Sequence, residues 1–133
     1  MMPPRSCRVL VIEDEAFILL LLEEALRGAG CDVILATGGE EALALARQQP
    51  PDVAVMDLRL ADGLAGPDFL GRLREVVPSL PVVIATGLRL TEQERRGYDL
   101  AGGGPPVLVL QKPCDMEHLV AEVLARHGGG RGG

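Results

Sequence analysis

The chain has 133 residues, 47% of them apolar and 24% charged, with two His, one Tyr, two Phe and no Trp. That length and apolar share fit one domain able to bury a proper core and exclude a disordered chain. Its 13 basic against 19 acidic residues give a formal charge of −6, which excludes nucleic-acid binding as the main task because phosphate contact needs a clustered basic face.

Met1-Met2-Pro3-Pro4-Arg5 lacks the apolar segment and cleavage site of a secretory signal. The longest apolar run, Ala16 to Leu22, is far shorter than the roughly 18 residues of a membrane span. A first buried strand is predicted over Arg8–Ile12, ending in Glu13-Asp14-Glu15, with a helix from Ala16 to Arg27 that stops at Gly28 and Gly30. At 100° per residue, Phe17, Ile18, Leu21, Leu22 and Ala25 form its buried face and Glu23, Glu24 and Arg27 its polar face. Leu20 then falls in the middle of the polar face and Leu19 at its edge. Asp32–Ala36 is a second strand, and Glu40–Gln48 a helix stopped by Pro50-Pro51. The third strand runs through Val53-Ala54-Val55-Met56 and meets Asp57 at its carboxyl end.

A turn over Ala61–Gly66 leads to a helix from Pro67 to Val77, with proline in the first turn. Pro81–Thr86 is the fourth strand. Thr91 with Glu94 three residues on reads as a capping box for a short helix ending near Asp99. Gly102–Pro106 is a loop, Val107–Leu110 the fifth strand, and Asp115–His127 a last amphipathic helix. The organisation is therefore an N-terminal extension (1–7), one domain (8–127) and a Gly-rich disordered tail (128–133). Cys7, Cys31 and Cys114 are odd in number, widely spaced and form no C-x-x-C pair. They read as reduced thiols of a cytoplasmic protein, with neither a zinc site nor a disulfide framework.

Five strands alternating with helices indicate an α/β fold: a doubly wound five-stranded parallel sheet of flavodoxin-like order 2-1-3-4-5, with helices on both faces. Ligands in such sheets bind outside the carboxyl ends of the strands. There the sequence puts Glu13 and Asp14, Asp57, Thr86 and Lys112. Two like charges about 4 Å apart repel by on the order of 4 kcal/mol at an effective dielectric of 20, so three carboxylates call for a cation. Oxygen donors without His or Cys indicate Mg²⁺. Lys112 is the single lysine among the 13 basic residues. Taken singly, Glu13 and Asp14 could serve the first helix's N-terminus, Thr86 end a strand, and Lys112 be solvated.

Val11-Ile12-Glu13-Asp14-Glu15, Val55-Met56-Asp57-Leu58-Arg59-Leu60, Ile84-Ala85-Thr86-Gly87 and Gln111-Lys112-Pro113 together resemble the signatures of response-regulator receiver domains of two-component signalling, from about Arg8 to Arg126. The resemblance implies that Asp57 accepts a phosphoryl group from a phosphohistidine of a sensor histidine kinase or histidine phosphotransfer protein. It implies Mg²⁺ held by Glu13, Asp14, Asp57 and the backbone carbonyl of Arg59. Thr86 and Lys112 would contact the phosphoryl group, and Pro113 would follow a cis peptide bond that aims Lys112. The protein would catalyse only its own phosphorylation and dephosphorylation, as a monomer or weak dimer. Leu19 and Leu20 would dock the partner's helices.

This chain departs from the family pattern at Glu13, where Asp is commoner, and at Gly87, where Ala or Ser is usual. Val109 stands where a Tyr or Phe usually swings inward on activation, a movement valine cannot make. Cys114 stands where an aromatic often follows Lys-Pro. Without an output domain the chain reads as a stand-alone binding protein or phosphate shuttle, or else as the receiver of a larger regulator or hybrid kinase. A flavodoxin-like electron carrier would need a phosphate-cradling loop and flavin-stacking aromatics where this chain has Glu13-Asp14-Glu15. An aspartyl-phosphate phosphatase would carry two aspartates after the first strand, two residues apart.

Overall fold

The computed structural model describes residues 6–58, 66–101 and 103–129 as five strands alternating with five helices. In order these are β1 (Arg8–Ile12), α1 (Ala16–Gly28), β2 (Asp32–Ala36), α2 (Gly39–Gln48), β3 (Val53–Met56), α3 (Pro67–Val76), β4 (Val82–Thr86), α4 (Glu92–Leu100), β5 (Leu108–Gln111) and α5 (Met116–Gly129). The strands form one parallel sheet of order β2-β1-β3-β4-β5, as the sequence rhythm predicts.

Strand side chains alternate between faces, and that alternation divides the core in two. Leu10, Ile12, Ala54, Met56, Val82 and Ile84 face α2, α3 and Tyr98 of α4. Val9, Val11, Val53, Val55, Val83 and Ala85 face the apolar stripes of α1 and α5. Both faces are covered, so the strands read as continuous apolar runs rather than alternating ones.

The stripe of α1 differs from the predicted one. Leu19, Leu22 and Leu26 are buried, while Phe17 is 71% exposed, Leu20 58% and Leu21 38%. Seven consecutive apolar residues fill the first two turns, so the pattern cannot select a face there. The sheet selects it, through a 19-22-26 stripe that meets Val9, Val11 and Val33. Leu19 therefore belongs to the core and cannot dock a partner.

The predicted capping box of α4 is present: Thr91 N–H donates to Glu94 at 2.9 Å and Glu94 N–H to the Thr91 hydroxyl at 3.1 Å. Helix α5 runs to Gly129, two residues into the stretch predicted as tail. Arg74, buried at the end of α3, donates to the carbonyls of Leu80, Ala101, Gly103 and Pro105 at 3.1, 3.3, 2.6 and 2.7 Å. One guanidinium thus ties the approaches to β4 and β5 together. Gly103 and Gly104 take positive φ in that approach, and a Cβ on Gly104 would stand 3.1 Å from the Ser79 backbone. Gly104 thus serves close packing as well as its backbone angle, whereas Gly103 serves the positive φ alone. Residues 1–5, residues 59–65 (which include all of the predicted turn but Gly66), Gly102 and the tail beyond Gly129 lie outside the described residues.

Candidate phosphoryl-acceptor site

Strands β1 and β3 are neighbours in register, Ile12 opposite Met56. The residues that follow them, Glu13 and Asp57, therefore emerge side by side at the carboxyl end, where Asp57 N–H donates to the Ile12 carbonyl at 3.2 Å. Strand β4 ends on Thr86, which is paired with Gln111 of β5. Lys112 N–H donates to the Thr86 carbonyl at 2.7 Å, fixing the backbone from which the lysine reaches across β4 to β3. Its ammonium donates to Asp57 Oδ2 at 2.9 Å and to Glu13 Oε1 at 3.5 Å. The Lys112-Pro113 peptide is cis, as the resemblance implies.

Glu13 is only 3% exposed. Burial pushes its carboxyl up from the ordinary range; the Glu15 amide at 3.2 Å and Lys112 pull it back, and the charge of Asp57 pushes it up again. Burial alone would lower the Lys112 ammonium, but its hydrogen bond with Asp57 and the charges of Asp57 and Glu13 outweigh burial and raise it. Lys112 is charged at neutral pH and is shared between two carboxylates that repel each other. Asp14 follows Glu13 in the β1–α1 loop and is exposed. An oxygen-only donor set with more negative charge than one lysine balances fits a hard divalent cation such as Mg²⁺. The Arg59 carbonyl lies outside the described residues.

Thr86 is fully buried, and its hydroxyl oxygen accepts from Leu88 N–H at 3.0 Å. That leaves the hydroxyl proton to donate. Val109 packs against the α2–α3 core, and a cavity of about 450 Å³ lined by Arg89, Leu90, Arg95, Val109 and Gln111 opens beside it. An apolar cavity of about 490 Å³ extends from Asp57 and Lys112 under α1 and α5, past Ile18, Leu22, Cys114 and Met116. The small side chains at 109 and 114 both border open space.

Sequence reasoning named Glu13, Asp14, Asp57, Arg59, Thr86 and Lys112, and the fold brings Glu13, Asp57, Thr86 and Lys112 to one end of the sheet. Exposed Asp14 does not close with Glu13 and Asp57 into a cluster of three donors within 4.8 Å, and Arg59 lies outside the described residues. Sequence reasoning missed Phe17 and Leu21, which join Leu20 on the outer face of α1. Their i, i+3, i+4 spacing was the available signal.

The family model of the response regulator receiver domain matches residues 9–124. The chain is similar to the probable transcriptional regulatory protein TcrX of Mycobacterium tuberculosis, 37% identical over 88% of this chain and 48% of that protein. It thus spans about half the length of the curated relatives it matches first. A solved two-component response regulator from Clostridium difficile superposes with a TM-score of 0.79 at 26% identity, over 91% of this chain and 95% of that one. A CheY-like receiver domain protein from Methanospirillum hungatei shares the fold, with a TM-score of 0.81 at 22% identity over 94% and 96% of the two chains. With the strand order, the acidic crevice and the lysine reaching across it, these matches give one conclusion: this chain belongs to the response-regulator receiver domains of two-component signalling.

Proposed function

We propose that Asp57 accepts a phosphoryl group from a phosphohistidine on a sensor histidine kinase or histidine phosphotransfer protein, making the domain a phosphorylation-controlled signalling module. The observation that carries this reading is the 2.9 Å Lys112–Asp57 pair beside buried Glu13. A carboxylate oxygen of Asp57 attacks phosphorus, the phosphorus–nitrogen bond breaks, and its electron pair stays on the imidazole. Catalysis of such a transfer is mainly positioning and charge neutralisation. Lys112 supplies a fixed positive charge beside the attacking carboxylate, and Thr86 a hydroxyl donor one strand away. Glu13, Asp14 and Asp57, with the Arg59 carbonyl, would hold Mg²⁺, which supplies further neutralisation of the phosphoryl oxygens. The acyl phosphate is cleaved by water, so the protein's only catalysis concerns its own phosphorylation and dephosphorylation.

The partner's helices dock on the outer face of α1. Exposed Phe17, Leu20 and Leu21 form an apolar stripe there, beginning three residues after the acidic pair. Compartment follows from partner: the cytoplasm, as a monomer or weak dimer, without nucleic-acid contact by this domain. No helix among the described residues is long and apolar enough to cross a membrane. Beside a stand-alone binding protein or shuttle, a second reading has specific support. The TcrX match covers only 48% of that protein, as expected if this is the receiver of a larger regulator.

Acetyl phosphate with Mg²⁺ should add one phosphate by intact mass, and Asp57→Asn should abolish it. Label persisting in that variant would overturn the assignment. Leu20→Glu should slow transfer from the protein donor and leave acetyl phosphate labelling unchanged. Equal rates from the protein donor would remove the docking face from α1.

A further inference from the structure

At the opposite end of the sheet, parallel pairing gathers a second set of ligating side chains. Cys7 precedes β1, Cys31 precedes β2, Asp52 precedes β3, and His127 lies in the last turn of α5. The register puts Arg8 beside Asp32 and Val9 beside Val53, so Cys7 falls next to Cys31, and Arg8 next to Asp52. Donor atoms of Cys7, Asp52 and His127 all lie within 4.8 Å of one another. Burial pushes the Cys31 thiol up, only partly offset by the neighbouring Cys7 thiol, so Cys31 keeps its proton and stays outside the ligand set. Cys7 and Cys31 are buried, at 6% and 7% exposure.

We propose that Cys7, Asp52 and His127 form a three-residue binding site for one borderline-soft divalent metal ion of the Zn²⁺ class, with the fourth position left to water. Sulfur, nitrogen and carboxylate oxygen in one cluster suit zinc and exclude Mg²⁺, which takes oxygen ligands. An ion placed among three donors at the observed limit stands no more than about 2.8 Å from each, against ~2.3 Å for Zn–S and ~2.0 Å for Zn–N bonds. Closing that gap takes a shift of about 0.5–0.8 Å per donor. The Asp52 carboxylate is already oriented, because Arg8 N–H donates to its Oδ2 at 2.9 Å and the Asp52 amide donates to the Arg8 carbonyl at 2.7 Å. Such outer-shell bonds are what fix metal ligands in place. The same Oδ2 is 3.9 Å from His127 Nε2. Access comes through a cavity of about 330 Å³ bordered by Pro51, Asp52, Pro81, Arg126 and His127.

Binding releases the Cys7 thiol proton to solvent, and one thiolate with the Asp52 carboxylate balances the charge of a divalent ion. The bound ion would fasten the end of α5 to the start of β1 and β3. None of these residues enters the phosphoryl chemistry, so the site stands whether or not Asp57 is phosphorylated.

The test uses the full chain, reduced and free of metal, titrated with Zn²⁺ and, in parallel, Co²⁺. One Zn²⁺ per chain is expected, unaffected by millimolar Mg²⁺ and retained in Asp57→Asn. Co²⁺ should give sulfur-to-cobalt charge-transfer absorption that is lost in Cys7→Ala and kept in Cys31→Ser. His127→Gln, near the chain surface and compatible with folding, should lower Zn²⁺ affinity by at least the roughly 10–100-fold that loss of even an outer-shell partner costs. Cys7→Ala should do the same, and zinc should raise the melting temperature of the parent but not of His127→Gln. No stoichiometric Zn²⁺ binding would overturn the proposal. So would binding displaced by Mg²⁺, or binding undiminished in His127→Gln.

Discussion

At the carboxyl end of the sheet, Glu13, Asp57 and Lys112 bring together oxygen donors and one ammonium; at the amino end, Cys7, Asp52 and His127 bring together sulfur, oxygen and nitrogen. Both clusters owe their geometry to the same strand register, since residues flanking β1 and β3 meet at each end. The carboxyl end carries excess negative charge around a shared lysine, which suits a hard cation and a transferred phosphoryl group. The amino end carries softer ligands, and close by Arg74 clamps four backbone carbonyls. One end sets charged groups at an open crevice, an arrangement that suits exchange of a ligand with solvent. The other is arranged to hold segments together. The difference teaches that strand register in a parallel sheet can gather two chemically distinct clusters at opposite strand ends, about the length of a strand apart.

That separation can be broken most directly at Lys112. Lys112→Ala removes the charge beside Asp57 and should slow acetyl phosphate labelling by about 10²–10³, the effect of deleting one preorganised charge-stabilising donor. Zinc titration of the same variant should be unchanged. A labelling rate near that of the parent would mean that Lys112 only balances the resting carboxylates.

Arg74→Met tests the other end. The variant leaves four carbonyls without their shared donor, two of them flanking the tight Gly103-Gly104 approach. The expected loss is about 3 kcal/mol, or roughly 10 °C in Tm. Arg74→Lys should recover only part of it, because an ammonium cannot reproduce the planar fork. Full recovery by lysine would show that charge rather than geometry holds the clamp. Labelling of Asp57 in the folded fraction should persist in both variants.

A smaller effect sharpens the metal contrast. At ten times its dissociation constant, Mg²⁺ should stabilise the parent by about 1.4 kcal/mol through linkage. Asp14→Ala should remove that gain while His127→Gln keeps it, read by thermal melting with and without the ion. An equal gain in Asp14→Ala would remove Asp14 from the ligand set.

The smallest change lies in α4. Thr91→Ala removes the hydroxyl of the capping box and should cost about 1 kcal/mol, measured by denaturant unfolding. Hydrogen bonds from the Thr91 backbone and hydroxyl hold the Glu94 carboxyl below its ordinary value. A depressed folded value means that this contribution is present at neutral pH and is lost as pH falls through it. Thr91→Ala should therefore differ less from the parent in acid than at pH 7, and a constant difference would assign the loss to the cap alone.

How much of this was legible beforehand follows from the range of each signal. Continuous apolar strands, the Gly and Pro stops, the Thr91–Glu94 box and the residues at the ends of β1, β3, β4 and β5 are local patterns. Topology rules convert such patterns into a sheet order and a crevice. The sequence by itself therefore determined the α/β class, the order 2-1-3-4-5 and the acidic site with Lys112. It did not determine which side of α1 is buried, because Ala16 to Leu22 is apolar on every side. Leu19 went to the core and Phe17 to the surface once the sheet offered Val9, Val11 and Val33 as partners. Nor did it show Arg74 as a clamp or Cys7, Asp52 and His127 as neighbours. Those residues are separated by 45 and 75 positions along the chain, and no periodicity links them. Only pairing of β1 with β3, and the return of α5 across them, brings sulfur, carboxylate and imidazole within reach of one ion.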